Sequence, residues 1–277
     1  MRRRNNSVNE ETRDRVFGTP MGSIPPFAFN EEVAKVFDDM AHRSIPFYQE
    51  VQRLTATLAQ RYAREATSIY DLGCSTGTTI LLMRDALQTH GPRNVTILGL
   101  DSSEAMCNEA RKKLGLSEPV GDGGANEGAS DAPYANRYGP ALSIVNGVIE
   151  NETIKNASVV IMNYTLQFVP PKERYRLLRS VHDGLIPGGI LLISDKMLQS
   201  STDVSRAFVD IYYDLKRAQG YSQLEIAQKR EALENVLIPY RLEEERDLLK
   251  SSGFSSVDIY FSWCNFTSLL CVKDGLS

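Results

Sequence analysis

The chain has 277 residues, with 31 Lys and Arg against 35 Asp and Glu, for a net charge of -4. This length can bury a large core without disulfide or metal support, and the acidic balance excludes a sequence-wide basic surface for nucleic acid. We therefore expect a small-molecule partner, no direct nucleic-acid binding, and, with no apolar run of about 20 residues, no membrane contact.

The N-terminal residues and the cysteines indicate the cellular compartment of the protein. Residues 2–4 are three arginines, as at the start of a targeting peptide, but polar residues follow where an apolar segment is needed. The four cysteines form no Cys-x-x-Cys pair and there are three histidines, so we expect no metal site and reduced thiols in the cytoplasm. We interpret residues 1–26 as a polar, partly disordered lead-in to a single domain over residues 27–277.

Two helices are predicted first along the chain. Asn30 can cap a helix over residues 31–40, because its side-chain oxygen can accept from free backbone N–H groups of the first turn. A second helix is predicted from Ser44 toward Arg64, with Pro46 tolerated in its first turn. Together these helices would form an N-terminal cap on the domain.

The patterns then alternate between strand and helix. Strands are predicted over residues 68–72, 95–100, 142–145, 157–162 and 190–194, and helices over residues 78–88, 104–114 and 171–185. The Pro-Gly-Gly at residues 187–189 is predicted to end the last helix and turn the chain into the next strand. Between residues 115 and 140, a stretch rich in Gly, Ala, Asn and Ser predicts a flexible surface insertion.

The C-terminal third predicts three helices and two strands. The helices cover residues 203–219, 223–235 and 241–251, and the strands cover residues 257–262 and 266–272. Two successive strands with a short connection predict an antiparallel edge. The whole chain therefore predicts an α/β fold with a doubly wound, mostly parallel sheet, an antiparallel edge strand and added helices.

The strongest local motif is Asp71 to Gly77, with the sequence DLGCSTG, where a strand opens into a glycine turn before a helix. Gly73 and Gly77 allow the backbone to approach a ligand closely. The motif lacks the Gly-Lys-Ser/Thr of a phosphate-binding Walker loop and the Gly-x-Gly-x-x-Gly spacing of a dinucleotide site. Alone, it is also compatible with an ordinary strand-to-helix turn.

A second acid follows at the end of the next strand. Asp101 closes the sequence LGLD about thirty residues after the glycine turn. A carboxylate in this position can accept from both hydroxyls of a ribose. Taken by itself, a solvated strand-end aspartate is the simpler interpretation.

Together the two motifs resemble those of class I S-adenosylmethionine-dependent methyltransferases, which have a Rossmann-like fold. The resemblance implies that the glycine loop holds the methionine part of S-adenosyl-L-methionine and that Asp101 holds its ribose. The implied cofactor contacts are Gly73, Cys74, Ser75, Asp101, Ser102 and Asn163. Met106 either lies against the adenine or packs in the core.

Four further segments resemble the carboxy-S-adenosyl-L-methionine synthase family. They are residues 29–40 (FNEEVAKVFDDM), 43–48 (RSIPFY), 163–168 (NYTLQF) and 208–234, which contains DLKRAQGYS and EIAQKR. The resemblance extends from Asp14 to the C-terminus apart from the insertion.

This resemblance implies an activity other than methylation. Enzymes of the family convert S-adenosyl-L-methionine to carboxy-S-adenosyl-L-methionine, with prephenate as carboxyl donor and phenylpyruvate as the released product. In their proposed route, the sulfonium methyl loses a proton and the resulting ylide captures carbon dioxide from prephenate. The product serves a partner enzyme that builds 5-carboxymethoxyuridine at the tRNA wobble position, and a homodimer is implied.

An appended carboxylate calls for a planar, permanently charged, bidentate partner, which arginine provides. The resemblance assigns this catalytic role to Arg230 and places Tyr48 near the cofactor, with Arg217 and Tyr221 as further pocket candidates. Spacing alone would make Arg230 a helix-surface charge. No histidine falls in a motif, so the sequence names no general base.

One segment departs from the family pattern. The family usually has Glu-Gly-Asp beside the adenine, whereas residues 146–149 here read NGVI. The resemblance places Val148 and Ile149 at the cofactor, where a backbone carbonyl can replace the lost acidic contact.

Two alternatives remain open from the sequence. The altered adenine segment and the insertion are compatible with a conventional small-molecule methyltransferase on the same fold. A binding protein that retains the fold without catalysis is the other alternative.

Overall fold

A computed structural model describes residues 12–117 and 139–275 of the chain. Its helices are α1 (Glu31–Ser44), α2 (Tyr48–Tyr62), α3 (Thr78–His90), α4 (Glu104–Leu114), α5 (Pro171–Gly184), α6 (Thr202–Ala218), α7 (Gln223–Ala232) and α8 (Leu242–Ser251). Its strands are β1 (Ser68–Leu72), β2 (Thr96–Asp101), β3 (Ala141–Asn146), β4 (Ala157–Asn163), β5 (Leu185–Lys196), β6 (Ser256–Trp263) and β7 (Phe266–Val272). No helix in these ranges is long and apolar enough to cross a membrane.

The strands form one sheet in the order β3-β2-β1-β4-β5-β7-β6. The pairs among the first five strands in this order are parallel, and β7 runs antiparallel to both β5 and β6. The predicted α/β fold with a mostly parallel sheet and an antiparallel edge is therefore confirmed. The chain reverses its direction of winding at β1, which pairs with β2 on one side and β4 on the other.

Each face of the sheet has its own core. Successive side chains of a strand point to opposite faces, so Leu72 packs with Leu178 of α5 on one side, whereas Ile69 packs with Ile80 of α3 on the other. The central strands are buried on both faces, as expected for strands covered by helices on both sides. The edge formed by the carboxyl ends of β1, β2 and β4 is where this class of sheet leaves a crevice for a ligand.

Helix boundaries differ from the prediction at the N-terminal cap. Asn30 caps α1 as predicted, with its side chain accepting from the backbone N–H of Val33, but the helix continues to Ser44. Phe47 then adopts a left-handed backbone conformation with φ of 52°. The second helix therefore begins at Tyr48 instead of Ser44.

The predicted turn at residues 187–189 is wrong. The Pro-Gly-Gly lies inside β5, which begins at Leu185 directly after α5. Its pairing with β4 shifts register between Ala157 and Val159, and Gly188 has φ of +74°. An irregular stretch of strand thus accommodates residues that usually form a turn.

The N-terminal segment over residues 12–26 packs on the helices. The carboxylate of buried Asp14 accepts from the Tyr221 hydroxyl and lies 3.8 Å from the ammonium of Lys229. The guanidinium of Arg43 donates to the backbone carbonyl of Asp14 at 3.2 Å. The segment therefore joins α1 to the region around α7. Residues 1–11 of the predicted lead-in and residues 118–138 of the predicted insertion lie outside the described residues.

Candidate functional site

A cavity of about 740 Å³ lies at the carboxyl edge of the sheet, under the helical cap and the C-terminal helices. Its volume is within the range of about 300–1,000 Å³ that is usual for small-molecule sites. The predicted site residues that line it are Tyr48, Gly73, Cys74, Ser75, Asp101, Ser102, Val148, Ile149, Asn163 and Arg230. The fold thus brings all ten to one place, and their individual roles remain predictions.

The loop between β1 and α3 has a backbone that glycine alone fits at one position. Gly73 has φ of +79°, and a Cβ atom there would overlap the hydroxyl oxygen of Thr165. The backbone N–H groups of Gly73 and Cys74 both donate to the carbonyl of Leu100, at 2.8 and 2.9 Å. The loop is therefore fixed against the end of β2 with its backbone open to a ligand.

Asp101 is held by two backbone donors. One carboxylate oxygen accepts from the N–H of Ser75 and the other from the N–H of Ser103, each at 2.9 Å. Burial raises the pKa of Asp101, and the two N–H donors oppose that rise. Each oxygen keeps a further lone pair, so the fixed carboxylate can still accept from two ribose hydroxyls.

Asp71 also lines the cavity, although it was not among the predicted site residues. One of its carboxylate oxygens is buried without a hydrogen-bond partner among the described residues. Burial raises the pKa of Asp71 to about 7, and the neighbouring Asp101 adds to the rise. A carboxylate in this state fits a cationic ligand, and S-adenosyl-L-methionine carries both an ammonium and a sulfonium group.

We expect the replacement of Asp71 by Asn to stabilise the ligand-free protein more at pH 8 than at pH 5. The unfolded chain releases this proton near the ordinary pKa of 3.8, whereas the folded protein keeps it up to a pKa of about 7. The folded state binds more protons in this interval, so the free energy of unfolding falls as the pH rises from about 4 to about 7. Thermal unfolding should show a gain of about 5 °C at pH 8.

The same substitution should weaken S-adenosyl-L-methionine binding by about 10-fold or more, because a charged acceptor is lost. Titration calorimetry at pH 8 measures this second effect. An Asp71→Asn protein that binds S-adenosyl-L-methionine normally, with an unfolding temperature parallel to wild type across the pH range, would contradict the role of this carboxylate.

Asn163 presents an unpaired donor at the end of β4. Its side-chain oxygen accepts from the hydroxyl of Ser194 at 3.1 Å, which fixes the orientation of the amide. The amide nitrogen is buried and has no partner among the described residues. Since Asn163 lines the cavity, this nitrogen can donate to a ligand acceptor such as a carboxylate.

The predicted adenine segment follows β3. The amide nitrogen of Asn146 and the backbone N–H of Gly147 both donate to the carbonyl of Asp101 at 3.0 Å. Val148 is 49 % exposed and Ile149 is buried, so both can present apolar surface to a flat ring. Met106 is fully buried near Val33 and does not line the cavity, so it packs in the core.

The cavity wall also carries an arginine that is free to meet a ligand. Arg230 is exposed and lines the cavity, and no hydrogen bond or ion pair joins its guanidinium to another described residue. Its helix is anchored nearby, because the amide nitrogen of Gln228 donates to the carbonyls of Phe17 and Thr19, each at 2.9 Å. Arg230 is thus carried on a fixed helix while its own charge stays available to a ligand.

Tyr48 lies on the first turn of α2 and lines the same cavity. Its ring centroid is 6.2 Å from that of Tyr164, which follows Asn163 and has φ of 59°. Burial raises the pKa of Tyr48, so its hydroxyl stays protonated. The two further pocket candidates do not line the cavity: Arg217 pairs with Asp214, and Tyr221 is buried against the N-terminal segment.

Sequence reasoning missed six charged residues in the cavity wall, which are Asp71, Glu150, Lys196, Lys216, Lys229 and Glu234. Asp71 could have been found, because it is the acid just before the glycine turn. Lys196 ends β5 at the same edge of the sheet, a position that also favours a site residue. Lys216 lies inside an amphipathic helix and has no comparable signal.

The comparisons with known proteins agree on the family. A family model described as "Methyltransferase domain" matches residues 70–193. Carboxy-S-adenosyl-L-methionine synthase of Methylococcus capsulatus is 41% identical over 263 residues, covering 95% of this chain and 100% of the relative. The protein of the same name from Desulfotalea psychrophila is 40% identical, covering 95% of this chain and 98% of the relative.

Solved structures share the fold at low identity. A putative S-adenosyl-L-methionine-dependent methyltransferase from Methanococcus maripaludis aligns with a TM-score of 0.53 at 19% identity, covering 93% of this chain and 99% of that one. Human N-acetylserotonin methyltransferase in complex with SAM gives a TM-score of 0.54 at 14% identity, covering 96% of this chain and 64% of that one. These likenesses concern the fold alone.

Proposed function

The chain belongs to the carboxy-S-adenosyl-L-methionine synthase family, and we propose that it makes carboxy-S-adenosyl-L-methionine with prephenate as the carboxyl donor. It is an enzyme that uses S-adenosyl-L-methionine and acts on a small molecule. The observation that carries the proposal is the presence of Arg230 in the same cavity as the glycine loop and Asp101.

Arg230 supplies what an ordinary methyl-transfer site does not need. The methyl group of S-adenosyl-L-methionine is uncharged apart from its sulfonium, so a guanidinium near it would add repulsion. Once a carboxylate is appended, the same guanidinium can pair with it through two parallel hydrogen bonds. Arg230 has no competing partner among the described residues, so this pairing breaks no existing contact.

In this proposal, other residues of the cavity bind the other parts of S-adenosyl-L-methionine. Asp101 holds the ribose, and the backbone of Gly73 and Cys74 receives the methionine part. Asp71 faces its positive charge, and the free amide nitrogen of Asn163 donates to its carboxylate.

The chemistry itself comes from the two substrates. S-adenosyl-L-methionine supplies a methyl group whose protons are acidified by the sulfonium. Prephenate gives up carbon dioxide and hydroxide and leaves as phenylpyruvate, and the hydroxide together with the methyl proton makes one water. Atoms and charge balance without an external oxidant, reductant or metal, and the base can come from the donor itself.

The wider setting is part of the same proposal. Carboxy-S-adenosyl-L-methionine would serve a partner enzyme that builds 5-carboxymethoxyuridine at the tRNA wobble position. The cytoplasmic location and the homodimer that were expected from the sequence also belong to this proposal.

Incubation of the protein with S-adenosyl-L-methionine and prephenate, followed by mass spectrometry, tests the proposal. We expect a product heavier than S-adenosyl-L-methionine by one carbon dioxide, together with phenylpyruvate, and neither product when prephenate is left out. Folded protein that makes no such product would contradict it. Prephenate-independent methyl transfer to a metabolite would establish a conventional methyltransferase instead, and failure to bind any S-adenosyl compound in calorimetry would favour a non-catalytic protein.

A further inference from the structure

Two lysines in the cavity wall approach the same aromatic ring. The ammonium nitrogens of Lys196 and Lys216 are 5.2 and 4.9 Å from the ring centroid of Tyr212. Lys196 comes from the end of β5 and Lys216 from the last turn of α6, so separate elements bring the two charges to one place. Neither ammonium forms a hydrogen bond or an ion pair with another described residue.

This arrangement is electrostatically unfavourable in the ligand-free protein. Lys216 is only 5 % exposed, and Lys196 is half-buried. Burial lowers the pKa of Lys216 to about 7, and the ammonium groups of Lys229 and Lys196 contribute to the decrease. The acid whose charge opposes this decrease, Asp14, already accepts from Tyr221 and pairs with Lys229. A bound anion would relieve the repulsion.

We propose that Lys196 and Lys216 form a second anion subsite, which binds a carboxylate of the carboxyl donor. The inference rests on the proposed function, because it takes the donor to occupy the part of the cavity next to Arg230. A donor such as prephenate carries two carboxylates, one that leaves as carbon dioxide and one that remains in phenylpyruvate.

The remaining carboxylate is the one that this subsite fits. Loss of carbon dioxide moves negative charge off the departing carboxylate, so a cation pair on it would stabilise the ground state more than the transition state. The other carboxylate keeps its charge throughout, so a cation pair on it stabilises the ground state and the transition state equally and does not raise the barrier. Lys196 and Lys216 therefore anchor the donor, while Arg230 receives the carboxylate that is transferred.

Calorimetry with a matched pair of ligands tests the subsite. Phenylpyruvate contains the retained carboxylate, and phenylacetone has the same ring and ketone without it. Each is titrated into S-adenosyl-L-methionine-loaded wild type and into the variants Lys196→Met and Lys216→Met. We expect the affinity for phenylpyruvate to fall at least 10-fold in each variant, while the affinities for phenylacetone and S-adenosyl-L-methionine stay within twofold.

Controls separate the subsite from general effects of charge and folding. Lys172→Met removes an exposed lysine from α5, away from the cavity, and should bind both ligands as wild type does. Lys216→Arg keeps the charge and should retain most of the phenylpyruvate affinity. Should a methionine variant fail to fold, the glutamine variant at the same position takes its place.

Unchanged phenylpyruvate affinity in both lysine variants would overturn the subsite, as would a wild type that binds phenylpyruvate no better than phenylacetone. These titrations need no turnover, so they decide the subsite even if wild type makes no carboxylated product. That last result would instead overturn the proposed function.

Discussion

Replacement of Arg230 by alanine is expected to reduce formation of the carboxylated product by on the order of 100-fold or more, which corresponds to about 2.8 kcal/mol. The side chain is the guanidinium that we assign to the transferred carboxylate, and no other described residue pairs with it. Affinity for S-adenosyl-L-methionine, which lacks that carboxylate, should change less than threefold. Product formation by mass spectrometry and binding by calorimetry measure the two effects separately.

Two further variants make the result specific. Arg230→Lys keeps the charge but loses the planar, two-pronged donor, so we expect an intermediate activity. Arg217→Ala removes an arginine from α6 that pairs with Asp214 outside the cavity wall, so it should be active. If Arg230→Ala and Arg217→Ala gave the same activity, the assignment of Arg230 would be wrong.

Replacement of Gly73 by alanine should weaken S-adenosyl-L-methionine binding by about 100-fold or more. The new methyl group would overlap the side chain of Thr165, and φ of +79° is itself unfavourable for alanine. The loop would have to move away from its contacts with Leu100, and the backbone surface offered to the ligand would be lost. Calorimetric titration with S-adenosyl-L-methionine measures the effect.

Gly188→Ala distinguishes the overlap from the backbone strain. Gly188 has nearly the same φ, +74°, and an added Cβ would meet no atom of the described chain within 4 Å. This variant should lose some stability and keep its affinity for S-adenosyl-L-methionine. A Gly73→Ala protein whose affinity stays within threefold of wild type would show that the loop does not form the binding surface.

The first half of the sheet could be predicted from the sequence. The elements between residues 68 and 114 match their predicted bounds within two residues, because strand and helix periodicities alternate clearly around the glycine turn. The predictions were less successful where tertiary packing determines the backbone conformation. Phe47 takes a left-handed conformation between two helices, and Pro187 to Gly189 continue a strand.

The site was predicted unevenly for the same reason. Gly73 and Asp101 lie at strand ends, where local sequence already indicates a ligand edge. Arg230 was found only through resemblance to a family, since nothing in the spacing of α7 distinguishes it from a surface charge. Lys196 and Lys216 are 20 positions apart in the sequence, and only the packing of α6 over the end of β5 brings them to the same ring.

Through Asp14, the N-terminal segment contributes a negative charge next to the cavity wall. Asp14 acts as an internal counter-ion, since its carboxylate faces Lys229, the neighbour of Arg230 along the chain. A truncation that starts the protein at residue 27 would remove this acid and leave Lys216 and Lys229 of the cavity wall to repel one another. Residues 12–26, which the sequence analysis counted with a polar, partly disordered lead-in, should therefore be kept in any protein made for study of the cavity.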